Sequence, residues 1–129
     1  MIPNLNKTQR LAFMQDKAFE KLWQEADEAG IKAGNDCIPE EMIVTDGKQE
    51  WHVSDGVCGF AWISFAGNTA FGRWARRCDI AQKQYGGGLR IWCHLFGQSM
   101  TRKEEWAWTV SAYLWDHAQI IVNAGSRID

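Results

Sequence analysis

Leu11, Met14, Ala18, Leu22, Ala26, Ala29 and Ala33 recur at steps of three or four. That spacing lines one face of a helix, whereas a strand would scatter the same residues over both faces. The charged residues Lys17, Glu20, Lys21, Glu25, Asp27 and Glu28 fall between them. The pattern predicts a helix from about Thr8 to Ala33, with Gly30 as a point of interruption and Gly34-Asn35-Asp36 as its stop. The alanines allow a neighbouring element to lie close.

Beyond this helix the periodicity changes. Met42-Ile43-Val44, within Glu41 to Thr45, is a short apolar run, and Asp46-Gly47 after it is a strong turn signal. Trp51-His52-Val53 starts a second strand and Asp55-Gly56 marks a second turn. Gly59 to Phe65, read Gly-Phe-Ala-Trp-Ile-Ser-Phe, is a third strand. Asn68 is the expected N-cap of helix 2, whose stripe is Phe71, Trp74, Ala75, Cys78 and Ala81. Gly86-Gly87-Gly88 stops it. Leu89 to Phe96 forms a fourth strand, with Ile91 and Cys93 on one face and Arg90, Trp92 and His94 on the other.

Thr101-Arg102-Lys103-Glu104 fits a capping box that opens helix 3. Its core face carries Ala107, Val110, Leu114 and Ala118, beside a stripe of Trp106, Tyr113 and His117. Gln119 to Val122 reads as the last strand. The order αβββαβαβ predicts one α+β domain over residues 1–129, with a mixed, mostly antiparallel five-stranded sheet and three helices in two layers. Strand–helix–strand units favour parallel neighbours. Helices 2 and 3 are therefore expected to begin side by side. The tail Ala124 to Asp129 is polar, and Ile128 or Arg127 would tie it down near helix 1.

The 129 residues suit one core, and the eight tryptophans supply much buried area for so short a chain. Some indoles can instead anchor a partner. A net charge of −2 argues against non-specific binding to nucleic acid or an anionic membrane. No stretch is long and apolar enough to span a bilayer, and Met1 to Arg10 lacks the apolar core of a secretory signal. The expected location is the cytoplasm. Cysteines 37, 58, 78 and 93 form no CxxC pair and read as reduced core residues, not metal ligands.

No residue set has the form of a catalytic site. A Cys58–His94 pair rests on residue type alone, so no catalytic residue, metal or cofactor is expected. Tyr85-Gly86-Gly87-Gly88 runs from helix to strand, the wrong order for a phosphate loop, and reads as a helix stop open to a partner's close approach. Gln98 and Ser99 run from strand 4 into helix 3, with Arg102 and Lys103 in its first turn. Asn68 sits at the equivalent place before helix 2, whose Arg73, Arg76 and Arg77 form a basic face. If strands 3 and 4 are parallel neighbours, both loops open at one sheet edge and form a partner- or anion-binding site. A plain capped turn and a solvated basic face are the alternatives. Acidic residues Glu25, Asp27, Glu28, Asp36, Glu40 and Glu41 would balance that face and polarise the molecule.

The series Asp55-Gly56-Val57-Cys58-Gly59-Phe60-Ala61-Trp62, Gly67 to Ala75, Tyr85-Gly86-Gly87-Gly88, Gln98-Ser99-Met100 with Arg102-Lys103-Glu104, and Gly125 to Asp129 resembles a family. Its members are small uncharacterised proteins encoded by tailed bacteriophages and prophages. The resemblance runs from about Gly34 onward and carries no residue role. It implies a phage accessory protein in the bacterial host cytoplasm. The leading expectation is a protein that binds a host protein or complex, such as an inhibitor of antiviral defence of the anti-CRISPR kind. The alternatives are a small anionic ligand, a nucleotide for example, and then nucleic acid.

Overall fold

The computed structural model describes residues 4–129, so the Met1–Pro3 part of the N-terminal reading lies outside the described residues. Helix α1 spans Lys7–Asp36. Asn6 caps it: its side chain accepts from Gln9 N, and the Gln9 side chain accepts from Asn6 N. The helix passes Gly30 unbroken. Gly30 is buried, and a Cβ there would stand 2.6 Å from Trp106 Cδ1 and 2.7 Å from Val110 Cγ2. This glycine lets helix α3 (Met100–Ala118) approach.

Strands β1 (Met42–Thr45) and β2 (Glu50–Val53) form a separate antiparallel hairpin. A second, four-stranded sheet contains β3 (Gly59–Phe65), β4 (Gln82–Lys83), β5 (Leu89–Trp92) and β6 (Asn123–Ile128). Its order is β4-β5-β3-β6, and every pairing is antiparallel. The protein is thus α+β, with three helices and six strands in two sheets among the described residues, not one five-stranded sheet.

The expected parallel pairing of the strands before helices 2 and 3 is corrected. Phe65 pairs with Leu89 and Trp62 with Trp92, so β5 runs back along β3. Helix α2 covers only Ala70–Arg77. Its eight residues rise about 12 Å, against about 23 Å for the seven of β3, so it does not carry the chain back to the strand's start. β5 therefore begins at the far end. Helix α3, with 19 residues, is long enough to return, and β5 and β6 do run the same way. They flank β3 instead of pairing.

Three further boundaries move. Thr69, not Asn68, caps α2 by accepting from Gly72 N. Ser99, not Thr101, caps α3 by accepting from Arg102 N. The last strand is not Gln119–Val122 but the polar Asn123–Ile128, which pairs with β3 from Ser64 to Gly59. Polar edge strands lack the apolar alternation that marks central ones.

β3 alternates buried Gly59, Ala61, Ile63 and Phe65 with half-buried Phe60, Trp62 and Ser64. The buried side meets Phe71 and Trp74 of α2 and Val110 and Leu114 of α3 in one core, with Trp106 at the α1–α3 contact. All three helices lie on this side. We expect Gly30→Ala to destabilise the fold by about 1–3 kcal/mol, since the added methyl overpacks the α1–α3 contact. A lowered midpoint in urea unfolding reads this out.

In the β1–β2 turn, the Asp46 carboxylate accepts from Gln49 N at 2.8 Å and Lys48 N at 2.9 Å. The Gln49 bond, then the Lys48 bond, holds its carboxyl below its ordinary 3.8. A lowered pKa stabilises the turn fully above pH 3.8, and that support is lost as pH falls through the lowered value. NMR titration is expected to leave the Lys48 and Gln49 amide shifts unchanged at pH 5 and to move them only under pH 3.8.

Candidate functional site

The structure separates the sequence-predicted site into two groups. Ser99 bridges Cys58 at the start of β3, whereas Asn68 follows its end. The seven residues of β3 stand between them, so the expected joint edge does not form.

At the first end the side chains are already engaged. Ser99 is buried; its hydroxyl donates to Asp55 O at 3.0 Å and accepts from Arg102 N. Arg102 donates to Gly34 O at 2.7 Å, to Asn35 O at 3.0 Å and to the Asp55 carboxylate at 3.3 Å. Lys103 is buried and donates to Gly59 O at 3.0 Å. Gln98 is exposed, and its carbonyl accepts from Gly59 N. These are structural ties, and they leave little of Arg102 or Lys103 for an anion.

At the second end Asn68, Arg73, Arg76 and Arg77 are all exposed. Arg77 pairs with Asp16 at 2.7 Å, and Arg73 donates to Asn68 O at 2.8 Å. Arg76 forms no ion pair among the described residues. The acidic group is also partly engaged: Asp27 accepts from Trp106 Nε1 at 2.8 Å and Glu25 from Tyr113 Oη at 2.6 Å. The Glu25 bond, with burial and the carboxylate's charge, pushes the Tyr113 hydroxyl's pKa up.

The histidine hydrogen bonds among the described residues go from His52 to Glu41 and from His117 to Tyr113 O, none to cysteine or serine. Burial pushes the Cys93 thiol up, away from thiolate reactivity. Among the described residues no three of His, Cys, Asp or Glu group as a metal site. No described helix is long and apolar enough to cross a membrane.

The outer face of the four-stranded sheet carries what the sequence reading did not assemble. Trp62 and Trp92 lie side by side with centroids 5.2 Å apart, and Phe60 meets Trp92 edge-on at 6.1 Å. The Arg90 guanidinium lies 4.3 Å from the Trp62 ring and 5.0 Å from Trp92. Arg127 of β6 lies 5.4 Å from Phe60. Trp62 also rests on Gly125, where a Cβ would come within 2.6 Å of the indole. Such cation–π stacks hold guanidinium groups in place. Phe60, Trp62, Ser64, Arg90 and Trp92 are half-buried and Arg127 exposed, so no layer covers them. Gln82 and Asn123 complete the face, whose described strand residues include two arginines and no carboxylate, whereas Ser126 pairs with Ala61 on the helix side and donates to Glu104.

The alternation in Gly59–Phe65 and the shared face of Arg90 and Trp92 were visible in sequence. Arg127 was not, because the tail was expected to be tied down near helix 1 by Ile128 or Arg127, not to form a strand beside β3. It reaches the aromatic ring, not a carboxylate, and Ile128 stays exposed. Of the other indoles, Trp106 is buried, while Trp108 and Trp115 on α3 are 67% and 49% exposed.

A cavity of about 840 Å³ opens at the other end of β3, among Phe65, Phe71, Gly86-Gly87-Gly88 and Ile120. No family model matches the chain, nor does any curated protein or solved structure.

Replacing Arg102 with Ala is expected to cost about 2–3 kcal/mol, because two helix-end carbonyls and a carboxylate lose a charged donor. Lys is expected to restore little, since one ammonium cannot reproduce the fork. Thermal unfolding of the two variants checks both points.

Proposed function

We propose that this chain acts by binding an acidic surface of a partner protein through the outer face of its four-stranded sheet. The observation that carries this reading is the uncovered cluster of Phe60, Trp62 and Trp92 with Arg90 and Arg127 and no carboxylate among them. Tryptophan and arginine are the side chains that most often dominate protein interfaces. The stacked guanidinium groups lose little freedom on binding and suit carboxylates. The likeness to proteins of tailed phages supports a bacterial host protein as the partner, with interference in antiviral defence as its role and the host cytoplasm as its place.

Nucleic acid is the weaker reading of the same face. Bases stack on open ring faces, but Trp62 is held between Gly125 and Arg90, and Trp92 leans on Trp62. The net charge of −2 also opposes it. The anionic-ligand reading loses Ser99, Arg102 and Lys103, which are tied into the fold.

The test is capture of partners from bacterial lysate, followed by affinity measurement with the purified partner. Arg90→Glu with Arg127→Glu is expected to weaken binding at least about thirtyfold, as for an interface residue contributing about 2 kcal/mol. Thermal unfolding of the double variant confirms that it folds. A partner whose affinity ignores both substitutions overturns the reading. Nuclease-sensitive material that binds the face would replace it with nucleic-acid binding.

A further inference from the structure

We propose that the cavity at the C-terminal end of β3 binds a single-chain amphiphile with an anionic head. The tail occupies the cavity, and the head lies at Arg76 and Lys83. This site is separate from the outer sheet face and does not depend on that reading.

The cavity measures about 840 Å³, within the range of roughly 300–1,000 Å³ usual for small-molecule sites. Its walls come from three elements and a connecting segment: Phe19 of α1, Phe65 of β3, Phe71 of α2, and Ile120 and Ile121 beyond α3. Among the described residues no charged side chain lines it. Several of its polar groups are spent on neighbours. Thr69 Oγ1 donates to Ala66 O and accepts from Gly72 N, Gln119 Nε2 donates to Trp115 O, and Gln84 Oε1 accepts from Arg90. An interior of this kind favours a hydrocarbon chain over a polar molecule.

A second cleft of about 380 Å³ adjoins the first, and Gln84, Gly87 and Gly88 line both. It contributes what the cavity lacks: Arg76 and Lys83, with no carboxylate in its walls. Neither cation forms an ion pair among the described residues. Two of the three residues that line both spaces, Gly87 and Gly88, carry no side chain. At Gly86 and Gly87 an added Cβ would meet nothing within 4 Å, so this loop stands open to solvent beside the cavity. Both have positive φ, +90° and +110°, which disfavours side chains there. An apolar hollow opening beside two unpaired cations matches a ligand with a long tail and a negative head.

The probe is sodium dodecanoate below its micellar concentration, titrated calorimetrically into the full chain. Dodecanol and hexanoate serve as the uncharged and short-tailed comparisons. Saturable one-to-one binding of dodecanoate is expected, about tenfold tighter than dodecanol, the difference that about 1.4 kcal/mol of head-group attraction gives. Hexanoate is expected to bind more weakly still. Arg76→Ala with Lys83→Ala should bring dodecanoate to the dodecanol level and leave dodecanol unchanged. Ala118→Trp, placed at the exposed end of α3 on the cavity wall, should abolish both. Ile121→Trp, at a 74% exposed position, serves if that variant does not fold. Three results would each overturn the proposal: no saturable dodecanoate binding, binding untouched by the cavity-filling variant, or affinity indifferent to loss of both cations.

Discussion

Arg102 donates to the carbonyls of Gly34 and Asn35 and to the carboxylate of Asp55. Those carbonyls belong to the last turn of α1, where no further helical amide can reach them and the helix dipole is negative. A guanidinium there answers both needs at once. The backbone of the same residue donates to Ser99 Oγ, and Ser99 Oγ donates to Asp55 O. The end of α1, the turn before β3 and the start of α3 are thereby fixed at one point. The positions of α1 over α3 and of α3 over the sheet follow from that junction and from the close contact at Gly30.

The same junction explains why the sequence reading of the site went astray. Ser99, Arg102 and Lys103 stand at a helix start with the composition of an anion site, but the anions and carbonyls they meet are the protein's own. Sequence spacing does not distinguish an internal partner from an external one. Helices α1 and α3 were legible because their stripes hold period over several turns, and the Gly59–Phe65 strand because it alternates strictly. β6 was not legible. Asn-Ala-Gly-Ser-Arg-Ile carries no apolar alternation, because one of its faces lies under Trp62 at a glycine and its outer edge is unpaired. The direction of β5 turned on the length of α2, and the apolar stripe continues to Ala81 although the helix stops at Arg77. Asp79, at φ +59°, ends the run, a conformation that residue spacing does not announce.

The sheet divides the chemistry of the chain between its two sides. Core residues from all three helices consume the inner side. The outer side is left with aromatic rings that cover one another and with arginines held against them. Tryptophan is therefore not spent only on the core. Trp74 and Trp106 are interior, while Trp62 and Trp92 build a half-open surface of fixed shape. Self-packing of those rings limits the apolar area shown to water, and the guanidinium groups keep the surface cationic in a chain of net negative charge.

Placing β3 between β5 and β6 also shapes how the molecule is assembled. Neither neighbour is adjacent to β3 in sequence: one arrives after α2 and β4, the other only after α3. The α1 helix and the β1–β2 hairpin close through local contacts, which form fast. The central sheet must instead bring distant segments together before any ladder bond repays the lost chain entropy. The ladders on both sides of β3 thus carry the long-range closure cost of the fold, and a chain without them would leave Ile63 and Phe65 bare to other chains.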